Sequence, residues 1–319
     1  MKNIAIICSG GDVSGMNPAL KHFVEYSLGK SLTPFFIYNG YEGLIDNEIK
    51  EASYCDVSGI INRGGTKIGS TRSKRFMQKK YRDIAKQNLD NLGIEMLIVL
   101  GGDGSFRGLD IFYKESGIKF CGIPATIDND INATDYSLGV DTALNIIKTS
   151  IDAIRDTASS FKRAFVIETM GRDCGYLALV SHLTSGSELC LIPEKEYDLD
   201  LYEKEFKKQM KNGRKYFIAI VSEGIKQDST EIAKWFENKI GIESRVSVLG
   251  HIQRGGNPTI YDRLMAYKFV TFAINGLLEN RQKSVICYTK SGFEYKSIEE
   301  VTSKTKELDA ELLSYLKKG

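Results

Sequence analysis

The chain has 319 residues, of which 42% are hydrophobic and 26% charged, and its formal net charge is +2. This composition excludes a disordered or low-complexity protein, and the length allows two moderate domains with buried cores. Lysine and arginine are spread along the chain without the dense basic cluster of a nucleic-acid-binding protein. We therefore expect small anionic ligands, and neither nucleic acid nor a membrane as a partner.

The cysteines and the N-terminal residues indicate the cellular compartment of the protein. Six scattered cysteines form no Cys-x-x-Cys pair, which is typical of a reducing compartment. The apolar run that begins at Ile4 is too short for a signal-peptide core, and no segment approaches the length of a membrane span. The sequence thus predicts a cytoplasmic protein.

Short β-branched runs alternate with helical stretches along the chain. The predicted strands cover residues 3–8, 34–38, 96–100, 120–123, 163–168, 189–192, 217–222, 245–249 and 285–288. The clearest predicted helix covers residues 138–159, where apolar side chains recur at steps of three and four opposite a polar face. This alternation favours parallel sheets with helical crossovers, and hence an α/β fold.

Two short polar loops each follow an apolar run: residues 101–105, Gly-Gly-Asp-Gly-Ser, and residues 126–130, Thr-Ile-Asp-Asn-Asp. Ligands of doubly wound sheets bind outside the carboxyl ends of the strands, so we expect both loops at one crevice. Glycines let backbone N–H groups approach phosphate oxygens, but Asp103 would repel those oxygens unless a cation lay between them. Asp103 therefore predicts Mg²⁺; the alternative is a simple strand-to-helix turn.

Neither standard phosphate motif is present. The chain has no Walker A sequence, and Arg107 stands where a dinucleotide-binding fold requires its third glycine. These two departures disfavour a nicotinamide-dependent enzyme.

Asp128 and Asp130 lie two residues apart, so an extended backbone would point both side chains the same way. One carboxylate could accept the proton of an attacking hydroxyl while the other approaches Mg²⁺. We assign Asp128 as the base and Asp130 to the metal, although the spacing alone does not separate the two roles. The alternative is an Asp-Asn turn that caps the next helix.

Arginines recur at or just beyond predicted strand ends: Arg72, Arg163, Arg172, Arg245 and Arg254. Guanidinium groups bind phosphate in a bidentate fork and stabilise a transferring phosphoryl group, whereas a surface ion pair is the alternative for any single arginine. His251 stands among glycines, as expected of a loop that closes over a polar ligand. Glu223 could accept hydrogen bonds from sugar hydroxyls or could begin a helix.

Seven motifs resemble, in order, the bacterial ATP-dependent 6-phosphofructokinase family: residues 9–12, 15–17, 62–66, 101–105, 126–130, 170–172 and 250–256. The resemblance implies two doubly wound Rossmann-like α/β domains with the active site in the cleft between them. Residues 1–138 and 252–302 would form the nucleotide-binding domain, and residues 139–251 and 303–319 the sugar-phosphate-binding domain. It also implies a homotetramer that transfers the γ-phosphoryl group of ATP to the C1 hydroxyl of fructose 6-phosphate in glycolysis.

The resemblance further implies roles for single residues. The ATP-binding set would be Gly11, Arg72, Ser73, Gly102, Asp103, Gly104 and Ser105, with Asp103 and Asp130 toward the metal. The catalytic set would be Asp128, Arg172, Thr126 and Arg72, with Asp128 as the base. The sugar-phosphate set would be Thr126, Asp128, Met170, Gly171, Arg172, Glu223, His251 and Arg254, joined by Arg163 and Arg245 from a neighbouring subunit.

Two positions of the sequence indicate which phosphoryl donor the protein uses. Pyrophosphate-using relatives usually have Asp where this chain has Gly104 and Lys where it has Ala125. Gly104 leaves room for the α-phosphate of a nucleotide and Ala125 supplies no charge to replace one, so ATP is the expected donor. The alternatives are a pyrophosphate-dependent enzyme and a non-catalytic nucleotide-binding regulatory subunit, and the aspartates of residues 126–130 disfavour the latter.

Departures from the family gather at its allosteric site, a basic pocket for ADP or phosphoenolpyruvate between subunits. Positive charge is kept at Lys21, Arg155, Arg214 and Lys215, and Glu188 matches an acidic metal-binding position. In contrast, a basic residue, a lysine and a histidine of the family are replaced by Glu25, Asn212 and Tyr216. A carboxylate that faces a phosphate opposes binding, so the sequence leaves effector control undecided.

Overall fold

A computed structural model describes residues 2–316, which divide into two compact units. The first unit contains residues 2–142 and 254–306, and the second contains residues 143–253 and 307–316. The chain thus passes from one unit to the other three times. The predicted domains follow the same order along the chain, and the ligand assigned to each stays a prediction.

The described residues contain the following β-strands: β1 (Lys2–Cys8), β2 (Leu32–Ile37), β3 (Ile49–Glu51), β4 (Ile94–Gly101), β5 (Lys119–Pro124), β6 (Ala164–Thr169), β7 (Leu189–Leu191), β8 (Phe217–Ser222), β9 (Ser244–Val248), β10 (Ser284–Thr289) and β11 (Gly292–Ser297). The α-helices are α1 (Met16–Gly29), α2 (Gly40–Ile45), α3 (Lys79–Asn91), α4 (Asp103–Ser116), α5 (Val140–Phe161), α6 (Tyr176–Ser185), α7 (Leu199–Lys211), α8 (Ser229–Trp235), α9 (Ile260–Leu278), α10 (Ile298–Thr302) and α11 (Ala310–Ser314). None of the helices within residues 2–316 is both long and apolar enough to cross a membrane.

All of the predicted strands are confirmed, and the predicted helix over residues 138–159 corresponds to α5. The structure adds β3 and β11, which the sequence analysis missed. Both are edge strands with partly exposed side chains, so neither carries the continuous apolar pattern of a buried parallel strand.

Seven strands of the first unit form one sheet in the order β11-β10-β5-β4-β1-β2-β3. The inner strands are parallel, while β3 and β11 pair antiparallel at the two edges. Because β2 lies on one side of β1 and β4 on the other, the winding of the sheet reverses between β1 and β4. Ligands of doubly wound sheets bind at such a reversal. Buried side chains that include Leu97, Phe106 and Phe112 form the core around this sheet.

The second unit has a fully parallel sheet of four strands in the order β7-β8-β6-β9. The winding reverses here as well, because β7 and β8 lie on one side of β6 and β9 on the other. Phe206, Phe217 and Phe236 pack together in the core of this unit, with the Phe206 and Phe217 ring centroids 4.7 Å apart. Strand β9 is an edge strand of this sheet.

Candidate active site

Loops at the carboxyl ends of β1, β4 and β5 meet in the first unit. Ser9 N, just after β1, donates a hydrogen bond to Leu100 O at 2.9 Å, and Ser105 Oγ donates to Ser9 Oγ at 2.9 Å. Ala125 N, just after β5, donates to Gly101 O at 2.9 Å. The two polar loops therefore share one edge of the sheet, as their positions after parallel strands predict.

The glycine loop turns directly into helix α4. Gly102 precedes the helix and Asp103 is its first residue, so amide groups of the first turn point out of the helix end. The Asp103 side chain is 41% exposed, and its Oδ2 accepts a hydrogen bond from Arg107 Nε at 2.7 Å. This bond raises the pKa of the Arg107 guanidinium. Apart from the neighbouring residues and the backbone of α4, no heavy atom lies within 4 Å of the point that a Cβ of Gly104 would occupy, so the loop is open on that side.

The segment that carries Arg72 and Ser73 lies beside the loop after β1. Gly10 N donates to Thr71 O at 3.3 Å, which joins the two segments. Arg72 is exposed there. Ser73 is half-buried, and its Oγ accepts a hydrogen bond from Phe76 N at 3.0 Å. Both residues predicted to bind ATP therefore lie next to the glycine-containing end of β1.

Gly11 lies against a guanidinium. Arg254 Nη1 donates to Asp12 O at 3.3 Å, and a Cβ on Gly11 would overlap the Arg254 side chain. The close approach of Arg254 therefore requires glycine at this position. Arg254, which the family resemblance assigns to the sugar phosphate, thus lies in the first unit beside a residue assigned to ATP.

The backbone of residues 126–130 is not extended, so that premise of the sequence analysis is wrong. The chain turns at Ile127 and Asp128, and Asn129 has a left-handed φ of 52°. Asp128 is only 2% exposed, while Asp130 is half-buried, so the two carboxylates have different surroundings. The turn does not cap a helix either, because α5 begins only at Val140.

Asn129 fixes this turn from inside. Its Nδ2 donates to Asp135 O at 3.1 Å, and its Oδ1 accepts from Ser137 N at 3.0 Å. Asp128 N donates to Thr126 Oγ1 at 3.3 Å. Asn129 is fully buried, so its amide both satisfies buried backbone groups and sets the path of the chain on either side of Asp128.

A buried carboxylate that the sequence analysis missed holds the far end of this loop. Asp262 Oδ1 accepts hydrogen bonds from Tyr136 OH at 2.5 Å and from Gly139 N at 2.7 Å. Its Oδ2 accepts from Thr142 N at 2.8 Å and from Thr142 Oγ1 at 2.5 Å. Burial raises the pKa of Asp262 above its usual value, and these bonds oppose that rise. The sequence offers one signal that could have pointed to Asp262. Thr259, three residues earlier, is the N-cap of α9, and its side chain accepts a hydrogen bond from Asp262 N at 3.2 Å.

Strand ends also meet in the second unit. Glu223, after β8, accepts hydrogen bonds at Oε1 from Gly171 N at 3.1 Å and from Arg172 N at 2.8 Å. Gln253 Oε1 accepts from Met170 N at 3.2 Å. The predicted sugar-phosphate ligands after β6 and β8 therefore lie together. The alternative of a helix-start role for Glu223 is wrong, because the next helix, α8, begins further along the chain.

The turn after β6 has an unusual backbone. Gly171 has a φ of 140°, and a Cβ there would overlap Cys174 O. Arg172 has a left-handed φ of 50°, a conformation that costs energy in a non-glycine residue and is enriched at functional sites. Gln253, which the sequence analysis missed, is 1% exposed and ties this turn to the segment that carries the exposed His251. Its place between an isoleucine and an arginine in residues 250–256 gave no separate signal.

Two arginines assigned to a neighbouring subunit's substrate share one carboxylate. Arg163 Nε donates to Glu243 Oε2 at 2.6 Å, and Arg245 Nη2 donates to Glu243 Oε1. The hydrogen bond from Arg163 is the main cause that lowers the pKa of Glu243. Glu243 was not identified from the sequence. It keeps both guanidinium groups at the start of the edge strand β9.

Three of the basic residues of the predicted effector pocket, Lys21, Arg155 and Arg214, are paired with carboxylates or a carbonyl. Lys21 Nζ lies 2.5 Å from Glu25 Oε1, one turn along α1. In the second unit, Arg214 Nη2 lies 2.6 Å from Glu188 Oε1, and Arg155 Nη2 donates to Ser185 O at 2.6 Å. Burial raises the pKa of Glu188, against the opposing effect of its hydrogen bonds.

Mg²⁺ prefers oxygen ligands and is commonly held by one or two carboxylates together with substrate phosphates. Residues 2–316 contain no group of three or more His, Cys, Asp or Glu side chains arranged to hold a metal. Asp103 offers an exposed carboxylate beside the open glycine loop, and Asp130 follows the adjoining turn. These residues fit a magnesium ion that is shared with a bound polyphosphate.

Comparisons with known proteins agree on one family. A phosphofructokinase family profile matches residues 3–277. The ATP-dependent 6-phosphofructokinase of Sulfurimonas denitrificans is 74% identical over 318 residues, covering 100% of both chains, and that of Sulfurovum sp. is 61% identical over 98% of this chain and 96% of the relative. The structure of phosphofructokinase from Saccharomyces cerevisiae matches with a TM-score of 0.89 at 32% identity, over 95% of this chain and 45% of that one. This chain therefore spans less than half the length of the yeast chain.

Two α/β sheets, each with polar loops beyond the carboxyl ends of its strands, define a class of Rossmann-like enzymes. Within that class, the chain belongs to the phosphofructokinase family. This confirms the family resemblance, the α/β fold of two Rossmann-like parts and the kinase class that the sequence analysis predicted.

Proposed function

We propose that this chain transfers the γ-phosphoryl group of ATP to the C1 hydroxyl of fructose 6-phosphate, giving fructose 1,6-bisphosphate and ADP. The observation that carries this proposal is the bond from Ala125 N to Gly101 O, which joins the glycine loop to the loop of Asp128 at the carboxyl ends of β4 and β5. A phosphate-binding loop and a buried carboxylate are thereby held side by side. The relatives named as ATP-dependent support this reaction.

In the proposed mechanism, Asp128 accepts the proton of the C1 hydroxyl as its oxygen attacks the γ-phosphorus. Thr126 contacts the substrate, and Arg72 and Arg172 neutralise the charge that grows on the phosphoryl oxygens. The glycine loop and Ser105 offer donors to the phosphates of ATP. The carboxylate of Asp128 is buried, which strengthens its interaction with a proton on the substrate because little water competes.

We propose Asp103 and Asp130 as the residues that face Mg²⁺. When bound, this ion would screen the repulsion between Asp103 and the polyphosphate and would polarise the phosphoryl oxygens. Asp103 is exposed at the first position of α4, where its carboxylate can be reached by a metal that arrives with the nucleotide.

The sugar-phosphate ligands are proposed to be Met170, Gly171, Arg172, Glu223, His251 and Arg254. The hydrogen bonds from Gly171 N and Arg172 N to one oxygen of Glu223 fix the orientation of that carboxylate. An oriented carboxylate is a selective acceptor for sugar hydroxyls, because its remaining lone pairs point in set directions.

The donor is the first test of this function. With fructose 6-phosphate, ATP and Mg²⁺, we expect fructose 1,6-bisphosphate to form, because Gly104 leaves open space for the α-phosphate. Chelation of the metal with EDTA should abolish turnover, and pyrophosphate should support little. Product formation is measured with each donor, with and without Mg²⁺. Comparable turnover with pyrophosphate would favour the pyrophosphate-dependent alternative, and no product with either donor would favour the non-catalytic subunit.

We also propose a homotetramer in which Arg163 and Arg245 complete the substrate site of a neighbouring subunit. Strand β9 supports an assembly, because it is an edge strand whose Val248 is 60% exposed. An edge strand with exposed apolar side chains favours pairing with another chain. Arg245 lies on this strand and is half exposed, so its guanidinium can reach a ligand outside its own chain.

Complementation tests the shared site. Arg245→Ala is expected to raise the KM for fructose 6-phosphate about ten- to a hundredfold while the KM for ATP stays unchanged, since one charged hydrogen bond to phosphate is lost. Co-expression of Arg245→Ala with inactive Asp128→Asn should restore activity in mixed oligomers, because some sites then combine the intact halves. Arg281→Ala, an exposed arginine paired with Glu279, is the control. A lack of recovery in isolated mixed oligomers would contradict sharing.

ADP or phosphoenolpyruvate as effectors, and a cytoplasmic location, remain proposals. The ion pair between Lys21 and Glu25 reduces the positive charge available to a phosphate, which supports weaker effector control than a fully basic pocket would give. No disulfide joins any of the cysteines, each of which lies within the described residues, and this agrees with a reducing compartment.

A further inference from the structure

Arg107 has no role in the proposed mechanism, yet it contacts the carboxylate assigned to the metal. It lies one turn after Asp103 on α4, and its Nε donates to Asp103 Oδ2 at 2.7 Å. Its Nη2 donates to Thr302 O at 2.8 Å, at the end of α10. The guanidinium is thus held by acceptors on two different helices, while its side chain remains 56% exposed.

We infer that Arg107 is the counter-ion of Asp103 in the nucleotide-free protein, that it gives up this carboxylate when Mg²⁺ and ATP bind together, and that it thereby sets how strongly ATP binding depends on Mg²⁺. The inference rests on the proposed nucleotide site at the glycine loop. Without a cation, Asp103 would repel a triphosphate at that loop. Arg107 already supplies one positive charge at hydrogen-bond distance.

The same charge becomes unfavourable once a divalent ion approaches. A guanidinium and a dication that contact one carboxylate repel each other, and they compete for the same carboxylate oxygens. The exposed Arg107 side chain can move into water at small cost, because an exposed ion pair between residues four apart on a helix is weak. Metal-free ATP therefore needs Arg107, whereas the magnesium complex of ATP does not.

Helix α4 carries a matched control. Lys114 Nζ lies 2.6 Å from Asp110 Oδ2, with the same four-residue spacing and a similarly exposed cation. Lys114→Gln therefore changes the net charge of the protein as Arg107→Gln does, on the same helix, but two turns further from the glycine loop. Arg107→Lys, which keeps the charge, is the conservative variant.

The test is isothermal titration calorimetry of ATP, once with EDTA and once with excess Mg²⁺. Arg107→Gln is expected to weaken binding of metal-free ATP about three- to tenfold, the size expected for one unit charge a few ångströms from a phosphate in water-rich surroundings. The dissociation constant with Mg²⁺ should change less than about twofold. The ratio of the dissociation constant without Mg²⁺ to that with Mg²⁺ therefore rises. Lys114→Gln should leave both constants unchanged, and Arg107→Lys should restore most of the metal-free affinity. Thermal unfolding midpoints verify that each variant is folded.

The remaining outcomes each overturn a specific statement. An equal loss of affinity with and without Mg²⁺ would mean that Arg107 attracts nucleotide by its charge alone, and no loss under either condition would mean that the pair with Asp103 is only a surface ion pair. Either result rejects the role of Arg107 and leaves the nucleotide site intact. If the unaltered protein binds ATP under neither condition, the proposed nucleotide site itself is rejected, and the role of Arg107 with it.

Discussion

Asp128→Asn is expected to lower kcat by about 10²- to 10⁴-fold, the usual contribution of a general base, while the KM values for ATP and fructose 6-phosphate stay within a few fold. The asparagine keeps the size of the side chain but cannot accept the proton of the C1 hydroxyl. Asp128 is 2% exposed and its turn is fixed by the buried Asn129, so water is poorly placed to replace the lost carboxylate. Steady-state rates at saturating substrate measure the effect.

Two further variants sharpen the assignment of the base. Asp135→Asn changes an exposed carboxylate of the same loop and should leave kcat nearly normal. Asp130→Asn should mainly raise the Mg²⁺ concentration required for half-maximal activity, because Asp130 is assigned to the metal. If Asp128→Asn retained near-normal kcat while Asp130→Asn lost it, the two roles would have to be exchanged.

The convergence of the polar loops could be predicted from the sequence because it depends on backbone topology. Strands that are parallel end at the same edge of a sheet, so loops that follow apolar runs gather there. The hydrogen bonds from Ser9 N to Leu100 O and from Ala125 N to Gly101 O join such neighbouring strand ends. The edge strands β3 and β11 escaped prediction because partial exposure removes the apolar pattern on which the prediction depends.

The conformation of individual loops could not be predicted, because distant side chains determine it. Two aspartates at a spacing of two suggest an extended segment, but Asn129 bonds to groups six and eight residues further on and bends the chain at that point. Asp262 and Gln253 hold the loops from sequence separations greater than eighty residues. Such partners become visible only when the chain is folded.

The ion-pair partners of the charged site residues are a second property that the spacing of residues in the sequence does not predict. The sequence placed Arg163 and Arg245 at strand ends, with a surface ion pair as the alternative for either one, but it identified no partner, and Glu243 bonds to both of them. Similarly, Asp103 is paired with Arg107 rather than standing alone among glycines. A ligand that binds these groups must replace existing ion pairs, so its affinity depends on the difference between two sets of contacts.

Asp262→Asn is expected to destabilise the protein by about 2 to 5 kcal/mol, the largest effect on stability predicted for this chain. Each oxygen of Asp262 accepts two hydrogen bonds, from Tyr136 and Gly139 on one side and from Thr142 on the other. An asparagine must place its NH₂ group against one of these pairs of donors, which leaves two buried donors without an acceptor. The midpoint and slope of urea unfolding at neutral pH give the loss.

The pH dependence separates this effect from a general weakening of the fold. Because burial raises the pKa of Asp262 in the folded state, the stability linked to its protonation is fully present below its ordinary value of 3.8 and is lost as the pH rises through the raised pKa. Asparagine does not ionise, so Asp262→Asn should remove this part of the fall in stability with rising pH. Asp83→Asn, an exposed partner of Lys79, should change the unfolding free energy by less than about 1 kcal/mol. If both variants lost the same free energy of unfolding, the hydrogen bonds of Asp262 would not hold the start of α5. The loop of Asp128 would then be supported by Asn129 alone.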